Sequence, residues 1–209
     1  MRELTPTVFA LEKTAGANGY LVAGEDCSVL IDPGLASGAR SSLAELAGAR
    51  RLVPPVTDVV LTHYDPDHSG AAPAVQEALG VRVWLGREDV PILRGETEPP
   101  TRARRFLKLI NPMHPPVALS EIVEPTEIIP GLSVLPAPGH TPGHVIVSWR
   151  GVVFVGDAAM MRRGRLVQLP APLISDRDAA LATTDLIASL RPRLVCPGHG
   201  RPDRLSLSD

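Results

Sequence analysis

The chain has 209 residues, 44% of them hydrophobic and 21% charged, with a formal net charge of -2. This composition supports a packed core and excludes wholesale disorder, and the slightly acidic balance excludes a nucleic-acid binder held by a broad basic face. Two cysteines, Cys27 and Cys196, lie far apart in apolar runs. They form neither a disulfide framework nor a CxxC metal knuckle and read as small core residues. The N-terminal MRELTPTVFALEKTAG has no uninterrupted apolar leader, and no window approaches the roughly 18 apolar residues of a membrane span. The expectation is a cytoplasmic protein with no membrane or nucleic-acid partner, acting on a small-molecule substrate, its oligomeric state open.

In chain order, Thr7–Leu11, Tyr20–Ala23 and Ser28–Asp32 are short apolar runs bounded by turn residues, an antiparallel meander closed by Asp32-Pro33-Gly34. Residues 37–49 have helical periodicity with Ser37 as N-cap. Asp58–Thr62 reads as a strand, His63–Gly70 as a polar loop, Ala71–Leu79 as a helix stopped by Gly80, and Val81–Leu85 as a strand buried on both faces. Residues 86–120 are rich in proline and hold the basic helix Arg102–Ile110, an excursion from the sheet that resembles a lid. Strands resume at Glu127–Ile129, Ser133–Pro136, Val145–Trp149 and Val152–Val155. A helix over Asp176–Leu190, capped by Ser175, precedes a last strand at Leu194–Cys196. With neither repeat nor low-complexity linker, the expected organisation is one domain, 1–209.

Four loops, each after a strand, hold the informative polar residues. The first is Thr62-His63-Tyr64-Asp65-Pro66-Asp67-His68-Ser69-Gly70, with four potential metal ligands inside six residues. A strand-end loop can converge side chains that a helix or strand would splay, and Pro66 stiffens it. The others are Pro138-Gly139-His140-Thr141-Pro142-Gly143-His144, Gly156-Asp157, and Pro197-Gly198-His199-Gly200. Each alone is a common turn; the four together point to a metal site.

This motif set resembles the metallo-β-lactamase superfamily of metallohydrolases, and the early YLVAGEDCSVLIDPG segment resembles that family's opening strands. The resemblance spans about residues 7–200. It implies an α/β fold, a four-layer αβ/βα sandwich of two mixed β-sheets flanked by helices, with the metal centre along one edge between the sheets. It implies two divalent metal ions, zinc first with iron or manganese as alternatives. His63, Asp65 and His140 would hold one, Asp67, His68 and His199 the other, and Asp157 would bridge them. Many members carry histidine at the position of Asp65. The carboxylate here makes a two-metal, one-hydroxide centre neutral instead of singly positive, weakens it as a Lewis acid and favours harder ions.

The activity implied is hydrolysis, a metal-bound hydroxide attacking the carbonyl of a thioester, ester or lactone-like substrate, with Asp67 orienting the water and accepting its proton. No GxSxG or Cys–His signature supplies a protein nucleophile. Nine residues follow Gly200, which leaves no room for the C-terminal helical region of glyoxalase II-like relatives. An alternative is a mononuclear non-haem iron sulfur dioxygenase-like oxidoreductase using His63, His140 and Asp157; another is a metal-binding protein with little catalysis. Among the remaining residues, Asp32 reads as ordering the ligand loops and His144 as a structural residue or one that hydrogen-bonds behind the ligands. His114 reads as an exposed loop residue, and Met160, Met161 and Arg162 as lining the mouth. Tyr64 reads as a residue of the ligand loop rather than a donor to substrate. Arg102, Arg104, Arg105 and Lys108 read as a solvated basic face.

Overall fold

The computed structural model describes residues 1–110 and 114–206. Residues 111–113 and the side chain of Lys108, both within the expected excursion, lie outside the described part. The first half runs β1 (Arg2–Thr5), β2 (Val8–Ala10), β3 (Tyr20–Ala23), β4 (Ser28–Ile31), α1 (Ala39–Ala49), β5 (Val56–Val60), α2 (Pro66–Ser69), α3 (Ala72–Leu79), β6 (Arg82–Gly86), α4 (Val90–Leu93), α5 (Arg102–Ile110) and β7 (Ser120–Ile122). The second half runs β8 (Thr126–Ile129), β9 (Leu132–Pro136), β10 (Val145–Trp149), β11 (Val152–Gly156), β12 (Met160–Arg162), β13 (Arg165–Val167), α6 (Arg177–Ser189) and β14 (Leu194–Pro197).

Among the described residues, strands β1 to β7 form one sheet in sequence order, and β14-β11-β10-β9-β8 form a second. Strands β1 to β4 are antiparallel, and β4 to β7 are parallel. The period-2 alternation of each strand sorts its side chains between layers. Tyr20, Val22, Val29, Ile31 and Val60 face Val134, Val145, Val147, Trp149 and Phe154 in the core between the sheets. The intervening Leu21, Leu30 and Val59 pack against the helices of the first half, with Leu46 of α1 and Val75 of α3. On the other side Ile146, Val153 and Val155 pack against Ile187 of α6. Helix, sheet, sheet, helix is the four-layer order, and strands buried on both faces read as continuous apolar runs for this reason.

Several local expectations change. β1 pairs with β2 ahead of the expected meander. Residues 36–38 form a 3-10 turn, and no side chain caps α1. Asp176, rather than Ser175, caps α6 by accepting from the Ala179 N–H at 3.0 Å. The ligand loop contains α2, because Pro66 at its first turn has a preset φ and no N–H to satisfy. The stretch 86–120 is only partly an excursion: Val90, Ile92 and Leu93 of α4 belong to the core, and β7 extends the first sheet. Gly80 closes α3 in the left-handed region, at φ 66°.

Candidate metal centre

The carboxyl ends of β5, β11 and β14 meet at one edge of the sandwich, the usual place for a site in sheets with parallel strands. Asp32 fixes the first loop. Its Oδ1 accepts the Thr62 N–H at 2.8 Å, and its Oδ2 accepts the Thr62 hydroxyl at 2.7 Å and lies 2.8 Å from His68 Nδ1. The Thr62 hydroxyl has one proton and gives it to Asp32, so at 3.0 Å it accepts from His63 Nδ1. Both imidazoles therefore carry a proton on Nδ1 and turn Nε2 inward, where neither has a partner among the described residues.

The second loop turns at Gly139, φ 135°, where a Cβ would lie 2.4 Å from the backbone of Ala180 on α6. Ser175 donates its hydroxyl to the His140 carbonyl at 2.9 Å. Asp89, fully buried, accepts from Thr141 Oγ1 and from the Gly143 N–H, each at 2.7 Å, which anchors the same loop. The last loop is held from the N-terminal strands. Tyr20 donates to the Pro197 carbonyl at 2.7 Å, and the Asn18 amide donates to the carbonyls of Pro197 at 3.0 Å and Gly200 at 2.9 Å.

These loops bring all seven expected residues together. The ligand atoms of His63, His140 and Asp157 lie within 4.8 Å of one another, as do those of Asp67, His68 and His199. Asp65 Oδ2 stands 3.3 Å from His63 Nε2 and 3.4 Å from His140 Nε2. Asp157 reaches both groups, with Oδ1 3.5 Å from His68 Nε2 and Oδ2 3.6 Å from His199 Nε2 and 3.7 Å from His140 Nε2. Asp67 Oδ2 is 3.1 Å from His199 Nε2. Tetrahedral sites with bonds of about 2.05 Å have ligand–ligand edges of about 3.3 Å, so the donor set and its spacing fit divalent cations of the zinc or iron type.

Electrostatics keep the carboxylates ionised as donors, whereas His68 holds a proton that a bound metal would displace. Burial opposes the charge on Asp157, but His68, His63 and His140 outweigh it and hold the carboxyl far below its usual range. Burial likewise opposes charge on Asp65, where His140, His63 and Arg104 prevail, and on Asp67, where His199 and His68 prevail. Both stay ionised. His68 is raised well above its ordinary value: burial opposes the cation, and Asp32 and Asp157 overcome it. Burial pushes His140 down to about 4.

Five further side chains take their places around these loops, some of them apart from their sequence reading. Arg104 is 1% exposed and reaches into the first cluster, so the basic face is not wholly solvated. His144 is buried and stacks on His63 at 5.1 Å, but neither ring nitrogen has a hydrogen-bond partner among the described residues. Tyr64 packs in the core beneath Arg104, its ring centroid 6.0 Å from the guanidinium. Arg162 is exposed on the β12–β13 hairpin, whereas Met161 packs against the α6 layer. Sequence reasoning missed Asn18, Tyr20, Asp89 and Arg104. Asn18 and Tyr20 act across more than 170 positions, and no local pattern marks them.

Residues 14–199 match the metallo-beta-lactamase superfamily. The chain belongs to that superfamily. It is 26% identical over 194 residues to a protein named "Probable metallo-hydrolase MJ0888" of Methanocaldococcus jannaschii, covering 92% of both chains. It is 32% identical over 138 residues to the hydroxyacylglutathione hydrolase of Anaeromyxobacter dehalogenans, covering 66% of this chain and 44% of that one. Among solved structures, TTHA1623 in a di-iron-bound form aligns with TM-score 0.68 and 34% identity over 90% of this chain and 89% of that one. This superfamily chain is a metal-dependent hydrolase, with one buried and one partly exposed cluster of histidine and aspartate suited to divalent metals. No helix among the described residues is long and apolar enough to cross a membrane.

Proposed function

We propose that this hydrolase cleaves a small carbonyl substrate, a thioester, ester or lactone, at a centre where His63, Asp65 and His140 hold one metal, Asp67, His68 and His199 hold another, and Asp157 serves both. The supporting observation is the pair of buried His63 and His68 Nε2 atoms, each turned toward the carboxylates by a committed Nδ1. Divalent cations bound there acidify water and polarise a carbonyl oxygen. Zinc or iron suits the donors, and the di-iron form of TTHA1623 supports iron.

The chain's own groups supply the rest. Asp67 keeps about a third of its side chain exposed and is ionised, so it orients the attacking water and accepts its proton. His199, also partly exposed, hydrogen-bonds Asp67 and fixes which oxygen faces the water. The hydroxyacylglutathione hydrolase relative supports a thioester. Within the 86–120 stretch, α5 is the part that reaches the centre, through Arg104, and serves as the lid over the substrate.

The test is turnover of thioester, lactone and chromogenic ester probes by protein of measured metal content. Activity is lost on chelation and restored by zinc, iron or manganese, and Asp67→Asn lowers kcat even when metal is supplied in excess to offset the lost ligand. Turnover that survives complete metal removal overturns the proposal. Oxygen uptake with a persulfide, with no hydrolysis, would instead favour the iron oxidoreductase for which two histidines and a carboxylate at His63, His140 and Asp157 are suited.

A further inference from the structure

Arg104 comes from α5, outside the four ligand loops, yet two nitrogens of its guanidinium engage the first cluster and the third reaches Ser175 beside it. Nε donates to both oxygens of Asp65, at 3.1 and 3.0 Å. Nη2 lies 2.7 Å from His140 Nε2, and Nη1 is 3.4 Å from Ser175 Oγ. A guanidinium has only donors, so Nη2 must be taking the lone pair of His140 Nε2. That ring nitrogen has no second lone pair to give a metal. Of the three first-cluster loop residues, only His63 keeps an uncommitted inward nitrogen.

The second cluster differs. Among the described residues, the ion pairs of Asp67 run to His68 and His199, and His68 Nε2 faces the carboxylates of Asp67 and Asp157 at 3.9 and 3.5 Å without a hydrogen bond. The asymmetry is therefore one of competition: one cluster already holds a buried guanidinium, a permanent cation with no lone pair to offer a metal, and the other is built from imidazoles and carboxylates alone.

We infer that Arg104 is the resident cation of the Asp65/His140 corner, so that the Asp67/His68/His199 cluster takes metal first and the first cluster accepts one only when Arg104 withdraws with α5. This inference rests on reading both clusters as metal positions. It makes the stoichiometry of the centre a property of α5: with the helix docked the chain is a one-metal protein, and displacement of the helix admits the second ion.

Calorimetric and absorption titration of chelator-stripped protein with Co²⁺ tests it. The wild type should bind one equivalent tightly and a second at least ~100-fold more weakly, the scale set by breaking a buried ion pair. Arg104→Met should bring the two affinities within about tenfold. His199→Ala should abolish the tight event in the wild type, whereas His140→Ala should leave it. Hydrogen exchange at residues 102–106 should rise only with the second equivalent. If Arg104→Met fails to fold, Arg104→Lys serves, because one ammonium cannot span Asp65 and His140 together, and the weaker event should tighten at least tenfold. Two equivalent events in the wild type, unchanged by either variant, would overturn the inference and leave the metal reading standing. No Co²⁺ binding by any variant would overturn both.

Discussion

Asp32 Oδ2 lies 2.8 Å from His68 Nδ1, and through Thr62 the same carboxylate also sets the tautomer of His63. One buried group thus aims two imidazoles. Asp32 sits at φ 50°, in the left-handed region that asparagine also tolerates. Asp32→Asn therefore changes the side chain without straining the backbone. An amide turned toward His68 forces its proton onto Nε2, the atom a metal needs. Metal affinity should fall about 10- to 100-fold, read by competition with a chelating dye. Retained affinity would show that the tautomer is set elsewhere.

The loops were legible because their chemistry is local. His63, Asp65, Asp67 and His68 fall within six residues, and Asp32, His140, Asp157 and His199 each stand beside a turn signal at a strand end. The strands were legible because burial on both faces leaves continuous apolar runs. Arg104 was not. A buried carboxylate such as Asp65 calls for a counter-cation, but Arg102, Arg104, Arg105 and Lys108 share one segment, and only tertiary packing selects among them. The core role of α4 was hidden in the same way, because a four-residue apolar turn inside a proline-rich stretch has no period to read.

Asp65 and Arg104 form a buried pair, with side-chain exposures of 11% and 1%. Removing one member of such a pair strands the other. Asp65→Ala in metal-free protein should cost about 3–5 kcal/mol in urea unfolding. Arg104→Met should cost less, because His63 and His140 still face the carboxylate. The double variant should be more stable than Asp65→Ala alone. Additive losses would show that the two side chains are not energetically coupled.

Gly198 is held against the ligands: a Cβ there would lie 2.5 Å from both Asp157 Oδ1 and His68 Cε1. Gly198→Ala should displace both and lower kcat/KM about 100-fold, the scale of a 1 Å misplacement. Gly200, two residues on, sits at φ 89° with nothing near its Cβ position. Gly200→Ala should cost only ~1–2 kcal/mol of stability and leave kcat/KM nearly unchanged. Equal activity losses in the two variants would point to the loop backbone rather than to the ligand contacts.

Asp89 gives the metal-free protein a pH-dependent term of known sign. Burial pushes its pKa up to about 6 from 3.8, despite hydrogen bonds from Thr141 and Gly143. Between those two values the folded chain holds a proton that the unfolded chain has released. Stability from this group therefore falls as pH rises through that window, by about 3 kcal/mol, and is flat above it. Asp89→Asn removes the titration and carries a cost of its own that does not vary with pH. The unfolding free energy of the wild type minus that of Asp89→Asn should therefore decrease between pH 3.8 and about 6 and then level off. Urea titrations of both proteins across the window measure it. A constant difference would mean that Asp89 is ionised throughout, its hydrogen bonds from Thr141, Gly143 and Tyr64 outweighing its burial.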